Sequence, residues 1–438
     1  MKGRVSSFRP WTRAVTWTAV AAIAVVMVLS PIGALQSLGQ AREIRVGLLG
    51  ARTGVFTAFG EPQIRGSILA FEEANYMAAG RRIRTFIEDT QCTADIMMTK
   101  VRAVHERDRV DTVVGPTCGG EGLAMVDWAR GTGLPVVIGY SAPEDITMRL
   151  RAHNVVRAGW SGAQPMFPFG QYVARTFGYR RIVSIGQDYS FPWNQLGGFI
   201  RGFCMAGGKE VVKIWHPVGT RDYSSIIAAM PRDVDAVMYD GAGTDMVAFY
   251  KQFRDFGLLD KYVLLGASNA YEPITLQELG DSAIGSLSAI QYAETLKTPA
   301  FLRFRDAYMK RWNEIPPTSA EHGYVGAKMV LRAIAAVGGR IEDRDAFIKA
   351  LRATRMPDAP RGPFYLDEYG NPVQNIYIRK VQRIGNILAN TVIATFKDVS
   401  QFGPFDPEAY IAAPPDSRDF PPSDCAAVLA RLPRLRGR

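Results

Sequence analysis

Apolar runs recur along this chain, each followed by a Gly- or Ser-rich turn and then by a stretch with helical spacing. Residues 44–49 open the series and predict a strand too continuously apolar for a sheet with one solvated face. A turn over 50–60 and a helix over 63–77 follow. Strands are predicted at 84–88, 112–115 and 135–139, with helices at 93–106 and 121–131. Short connections between alternating strands and helices predict a parallel sheet covered on both faces. A second series begins near residue 180. It has strands at 182–185, 210–214, 236–239 and 262–265, and helices at 193–206, 223–230 and 245–256. Helices return at 299–312, 320–336 and 346–353, and 364–366 with 376–381 predicts a β-hairpin around the turn 367–371. The pattern is an α/β chain of two doubly wound lobes, with an extended C-terminal tail over 401–438.

The first forty residues carry a different pattern. Lys2, Arg4, Arg9 and Arg13 precede an apolar run over 14–29, and Gly39-Gln40-Ala41 places small residues at a cleavage point. This order predicts a signal peptide over 1–41 and export to the periplasm, with an uncleaved membrane anchor as the alternative. The remaining chain of about 400 residues is too long for one core, which predicts two domains. The formal charge of +10 suggests nucleic acid until it is located. Four positives fall in the leader, and Arg431, Arg434, Arg436 and Arg438 crowd the last residues, leaving about +2 for the folded body. No basic stripe with interleaved aromatics remains, which excludes nucleic acid as a partner.

Cys92 and Cys118 each follow a predicted strand, with one helix between them. Neighbouring parallel strands bring their C-terminal ends together, so a bridge is geometrically reasonable and fits an oxidising compartment. Cys204 ends a second-series helix and Cys425 lies in the tail. A second bridge between them would pin the tail to the second lobe.

In open α/β sheets, ligands bind beyond the C-terminal strand ends. Those loops here are 50–60, 115–120, 139–143, 187–194, 240–244 and 266–271, rich in Gly, Ser and Thr and punctuated by aromatics. Backbone N–H groups, hydroxyls and aromatic walls suit a small organic anion; tight strand-to-helix turns would use the same small residues.

Several collinear motifs give the chain a likeness. They are Ile44-Arg45-Val46-Gly47-Leu48-Leu49 with Thr53-Gly54 and Phe59-Gly60, Val113-Val114-Gly115-Pro116-Thr117-Cys118, and Leu134-Pro135-Val136-Val137-Ile138. Gln187-Asp188-Tyr189, Gly285 with Tyr292, and the Gly370 hairpin follow in order. Over about 44–381 the chain resembles the solute-binding proteins of branched-chain-amino-acid type that feed ABC importers. The resemblance implies a two-lobed type I periplasmic-binding-protein clamshell. Lobe 1 would hold 42–157 and 286–363, and lobe 2 would hold 158–285 and 364–400, with crossings near Arg157, Gly285 and Pro363. It places a lobe-1 disulfide at Cys92 and Cys118. It also implies a permease partner in the inner membrane, a monomer, and neither cofactor nor metal.

By the same resemblance Gly119, Gly120, Gly139 and Ser141 match contacts to a ligand carboxylate. Gly119 stands where a serine is common, leaving backbone N–H groups and Ser141 for that task. Phe59, Tyr140, Trp193 and Tyr292 would be aromatic walls, and Gly241 and Ser268 would face the ligand from lobe 2. Amino-acid binders of this type carry an acidic residue just after the strand ending at Gly266, to pair with the ligand ammonium. This chain has Ala267-Ser268-Asn269 there, and only Asp240 or Glu272 could substitute. A buried ammonium without a carboxylate is costly, so the expected ligand is an aromatic or other hydrophobic carboxylate. Benzoates and cinnamates are taken by some members of the family. Amino acids, amides, urea-like compounds and short-chain acids are the alternatives.

An enzyme is the competing class. Gly47-Leu48-Leu49-Gly50 lacks the dinucleotide-binding spacing, no P-loop or nucleophile elbow is present, and His105, His153, His216 and His322 are scattered. A receptor ectodomain built on the same clamshell is a third class.

Overall fold

The computed structural model describes residues 42–54 and 56–437. The expected leader, residues 1–41, lies outside the described residues, and among those described no helix is long and apolar enough to cross a membrane.

Two sheets organise the chain. The first has six strands: β1 (Ile44–Gly50), β2 (Met77–Ala78), β3 (Arg81–Asp89), β4 (Thr112–Val114), β5 (Val136–Ile138) and β6 (Val155–Arg157), in the order β2-β3-β1-β4-β5-β6. All pairings are parallel except β2 with β3. The crossovers are α1 (Thr57–Glu73), α2 (Ala94–Glu106) and α3 (Gly119–Thr132). Ile44, Val46, Leu48 and Leu49 of β1 are all fully buried, as a strand covered on both faces requires. After β6 the chain enters α4 (Met166–Thr176) and builds a second, nine-stranded sheet. Its parallel part is β7 (Arg181–Gln187), β8 (Glu210–His216), β9 (Ala236–Asp240), β10 (Val263–Gly266) and β11 (Leu287–Ile290). The helices between are α5 (Ser190–Met205), α6 (Ser224–Ala229), α7 (Thr244–Asp255) and α8 (Pro273–Leu279).

The chain then returns to the first sheet through α9 (Pro299–Trp312), α10 (Thr318–Ala336) and α11 (Arg344–Arg352). Thr298 caps α9 by accepting from the Phe301 N–H, with Pro299 in its first turn. α10 buries Val325, Met329, Val330 and Ala333 in the same core as Val46, Leu48, Val114 and Val137. It crosses α1 where both helices carry glycine. A Cβ on Gly66 would fall 1.9 Å from the Ala320 carbonyl oxygen, and one on Gly323 1.9 Å from that of Gln63. The chain ends its sheet work in β12 (Arg355–Met356), β13 (Phe364–Leu366), β14 (Pro372–Ile384) and β15 (Ile387–Val399), all antiparallel to their partners, with β14 paired to β11.

Two expectations need correction. The expected lobe 1 includes residues 286–363, but β11 pairs with β10 and β14, so the return to the first sheet comes after Ile290 and not at Gly285. The tail is not extended. Phe402, Phe405 and Tyr410 are buried with Met148 and Phe167 in a small core of their own. Two short helices, α12 (Pro407–Ala412) and α13 (Cys425–Leu429), lie along it, while Arg431, Arg434 and Arg436 stay exposed. Scattered aromatics inside a Pro- and Asp-rich stretch bury enough apolar surface to fold it down.

Both expected disulfides are present, Cys92–Cys118 and Cys204–Cys425. The second closes a sequence separation of 221 residues, so the unfolded chain loses much entropy to it. The double variant Cys204→Ser/Cys425→Ser is expected to lose roughly 2–5 kcal/mol of unfolding free energy in urea titration. An unchanged midpoint would contradict this.

Candidate ligand-binding site

The C-terminal strand ends of the two sheets face each other across one cavity of about 240 Å³. The β1–α1 connection and α1 contribute Phe56 and Phe59, the β3–α2 loop Cys92, and the start of α3 contributes Thr117, Cys118, Gly119 and Gly120. Tyr140 and Ala142 follow β5, and Trp160 sits in the crossing after β6. From the second sheet come Tyr189 and Phe191 after β7, Val218 after β8 and Asn269 after β10.

Aromatic rings line this space as a connected series. Phe59 stacks on Tyr140 at 5.6 Å, Tyr140 meets Trp160 edge-on at 4.8 Å, and Trp160 meets Phe191 edge-on at 6.0 Å. These tilted and offset contacts are the favourable geometries for ring quadrupoles. His322 of α10 lies behind both Tyr140 and Trp160, at 5.3 and 5.0 Å. Burial, helped by the nearby Arg361 guanidinium, pushes it well below the usual imidazole range, so it is a neutral structural ring.

The polar pole is the N-terminus of α3. Gly119 and Gly120 occupy the first turn, whose N–H groups have no acceptor within a helix. The partial positive charge of a helix N-terminus favours an anion there. The Glu121 carboxylate accepts from the Cys118 N–H at 2.9 Å. Burial pushes its pKa up to about 7 against the hydrogen bonds that hold it down.

Among the described residues, no second-lobe carboxylate lines the cavity. Asp240 and Glu272 are both absent from the lining. Asp240 is fully buried with neither oxygen paired, and burial raises it well above the carboxylate range. Glu272 accepts from the Thr318 N–H at 2.9 Å, behind the cavity. Arg379 of β14 is also behind it, donating to the Ser288 hydroxyl and the Tyr292 and Ser268 carbonyls.

Of the residues expected at the site, Phe59, Gly119, Gly120 and Tyr140 line the cavity. The other six lie outside it. Gly139 packs on Gln63, where a Cβ would come within 2.8 Å of the amide carbon. The Ser141 hydroxyl is turned toward α3, 2.1 Å from where a Cβ on Gly122 would stand. The Trp193 indole N–H donates to Asp188 at 3.1 Å, and the Tyr292 hydroxyl to the Pro316 carbonyl at 2.6 Å. Gly241 packs on Gln187, and the Ser268 N–H donates to Gln195 at 2.8 Å. The residues not foreseen are chiefly Trp160, Tyr189, Phe191 and Asn269. Trp160 had a signal, an aromatic within Gly159-Trp160-Ser161-Gly162 directly after a strand.

A family model for periplasmic binding proteins matches residues 43–386. The chain belongs to that family. It is also 25% identical over 374 residues to the Leu/Ile/Val-binding protein homolog 6 of Brucella melitensis, covering 82% of this chain and 93% of that one. An ABC transporter substrate-binding protein from Sphaerobacter thermophilus has a TM-score of 0.78 at 28% identity, covering 82% of this chain and 99% of its own. A solute-binding protein of an ABC transporter from Rhodopseudomonas palustris BisB5, solved with 3,4-dihydroxybenzoic acid, has a TM-score of 0.77 at 26% identity, with 82% and 98% coverage. This periplasmic binding protein is therefore of the branched-chain-amino-acid type, with the two-lobed type I fold, and serves as the substrate-binding component of an ABC transporter.

Glu121 supplies a pH test. Its pKa is raised from 4.5 to about 7, so its contribution to stability is fully present below 4.5 and is lost as pH rises through about 7. Glu121→Gln is expected to flatten this part of the pH dependence of urea unfolding. Parallel wild-type and variant curves would contradict it.

Proposed function

We propose that this binding protein captures a small aromatic carboxylate between its lobes and delivers it to a membrane permease. The reading rests on one observation: six aromatic side chains converge on a cavity that, among the described residues, no acidic side chain lines. An amino-acid ligand would bring an ammonium that needs a carboxylate partner. Ala267-Ser268-Asn269 follows β10 where the family resemblance expects an acidic residue, and of these Asn269, a neutral amide, lines the cavity. An aromatic acid needs only the α3 N–H groups at one end and ring contacts along its length. The cavity is smaller than the roughly 300–1,000 Å³ typical of drug-sized ligands, which suits a single ring. The ligand held by the Rhodopseudomonas palustris BisB5 protein belongs to the same class. In this reading the protein acts as a periplasmic monomer after removal of residues 1–41, by binding and closure with no chemical step. Gly119, Gly120, Phe59 and Tyr140 are its first-lobe contacts, and Tyr189, Phe191 and Asn269 its second-lobe contacts.

Isothermal titration with benzoate, 3,4-dihydroxybenzoate, leucine and valine tests the reading. The benzoates are expected to bind and, at a hundred times Kd, to add about 2.7 kcal/mol of stability, read as a raised melting point. Leucine and valine are expected to give no heat. Asn269→Glu would set a second negative charge at the cavity and weaken benzoate binding about tenfold, equivalent to about 1.4 kcal/mol. Tight leucine binding with silent benzoates would replace this reading with the amino-acid role of the Brucella relative's name.

A further inference from the structure

The family match ends at residue 386, yet the chain beyond β15 is folded and touches both lobes. On the second lobe it is anchored firmly. Cys425 is bonded to Cys204 of α5, and Asp416 pairs with Arg201 of the same helix at 3.0 and 2.6 Å, both side chains buried. The Val211 N–H donates to the Ser423 carbonyl at 3.0 Å, so the segment also covers β8, the edge strand of the second sheet.

On the first lobe it grips residues 144–149, the short stretch directly after the cavity-lining Tyr140 and Ala142. The Tyr410 hydroxyl donates to Glu144 at 3.0 Å, and Arg149 donates to the Ala413 carbonyl at 2.8 Å. The Thr147 hydroxyl donates to Gln401 at 2.7 Å, and Met148 is buried against Phe402 and Tyr410. Beside these contacts the lobes also touch directly, the Glu144 N–H donating to Asn194 of α5 at 3.3 Å. Any rotation that opens the cavity must move α5, which carries Phe191, Asn194 and Arg201, away from residues 142–149. It must therefore break or stretch the contacts made by the C-terminal segment.

We propose that residues 400–437 form a strap that biases the cleft toward its closed form, with Tyr410 and Arg149 as positioning residues for ligand capture. The strap holds the Tyr140–Ala142 wall against the Phe191 wall before any ligand arrives. It acts whatever the ligand is, so it stands apart from the choice of an aromatic acid. Because apparent affinity scales with the fraction of molecules in the competent form, the strap strengthens binding without touching the ligand.

The test is the double variant Arg149→Met/Tyr410→Phe in the full protein. It removes the Tyr410–Glu144 and Arg149–Ala413 hydrogen bonds of the first-lobe grip, leaving the Thr147–Gln401 contact, the Cys204–Cys425 bond and the Arg201–Asp416 pair intact. Small-angle scattering of the ligand-free protein is expected to show a larger radius of gyration than wild type. With 3,4-dihydroxybenzoate as probe, a competent fraction reduced to about one tenth raises Kd about tenfold. Cys204→Ser/Cys425→Ser loosens the other end and should expand the ligand-free protein in the same sense. If wild type ignores the probe, the aromatic-acid reading fails and the scattering still decides the strap. Variant scattering that superimposes on wild type, with only a lowered melting point, overturns the proposal.

Discussion

The contact between α1 and α10 is the constraint on which the rest of the molecule depends. The first sheet needs α10 to cover one face, and α10 arrives only after the chain has built most of the second sheet. That return makes the first lobe discontinuous and turns the strand ends of the two sheets toward each other. The close approach is possible because Gly66 and Gly323 carry no Cβ where the helices meet. His322 lies one residue from Gly323, so the same helix that closes the core also supports Tyr140 and Trp160.

Charge is distributed to keep the cavity neutral. Arg361 pairs with Glu321 at 2.9 Å beneath the aromatic series, and Arg379 is satisfied by a hydroxyl and two carbonyls behind the second lobe. Buried ions left unpaired would be strongly destabilising; here Arg361, Glu321 and Arg379 are used up in holding loops in place, while burial raises the unpaired Asp240 well above the carboxylate range. What lines the cavity is chiefly ring surface, the start of α3 and one amide. These are the surroundings that the proposed aromatic carboxylate needs.

Much of the architecture is legible in the residues. The strands 44–50, 181–187 and 236–240 announce themselves as short apolar runs before small-residue turns, and buried parallel strands have no other signature. β15 does not, because its apolar residues come in uneven runs broken by Asn390, Thr391, Thr395 and Lys397, and it leaves Ile387 and Ile393 half exposed. The folded C-terminal segment is hidden for another reason: its partners Met148, Phe167 and Cys204 lie some two hundred residues away in sequence. At the site, the loops were readable but the directions of side chains were not. Phe191 and Trp193 sit two positions apart on α5 and point apart, so only the first meets the cavity. Ser141 follows Tyr140 directly and turns its hydroxyl into the packing against α3.

A crystal structure of the protein with 3,4-dihydroxybenzoate tests the central claim most directly. The account predicts the carboxylate within hydrogen-bonding distance of the Gly119 and Gly120 N–H groups, and the ring against Phe59, Tyr140 and Trp160. A carboxylate turned toward Asn269, or a ligand bound elsewhere with the cavity empty, would contradict it.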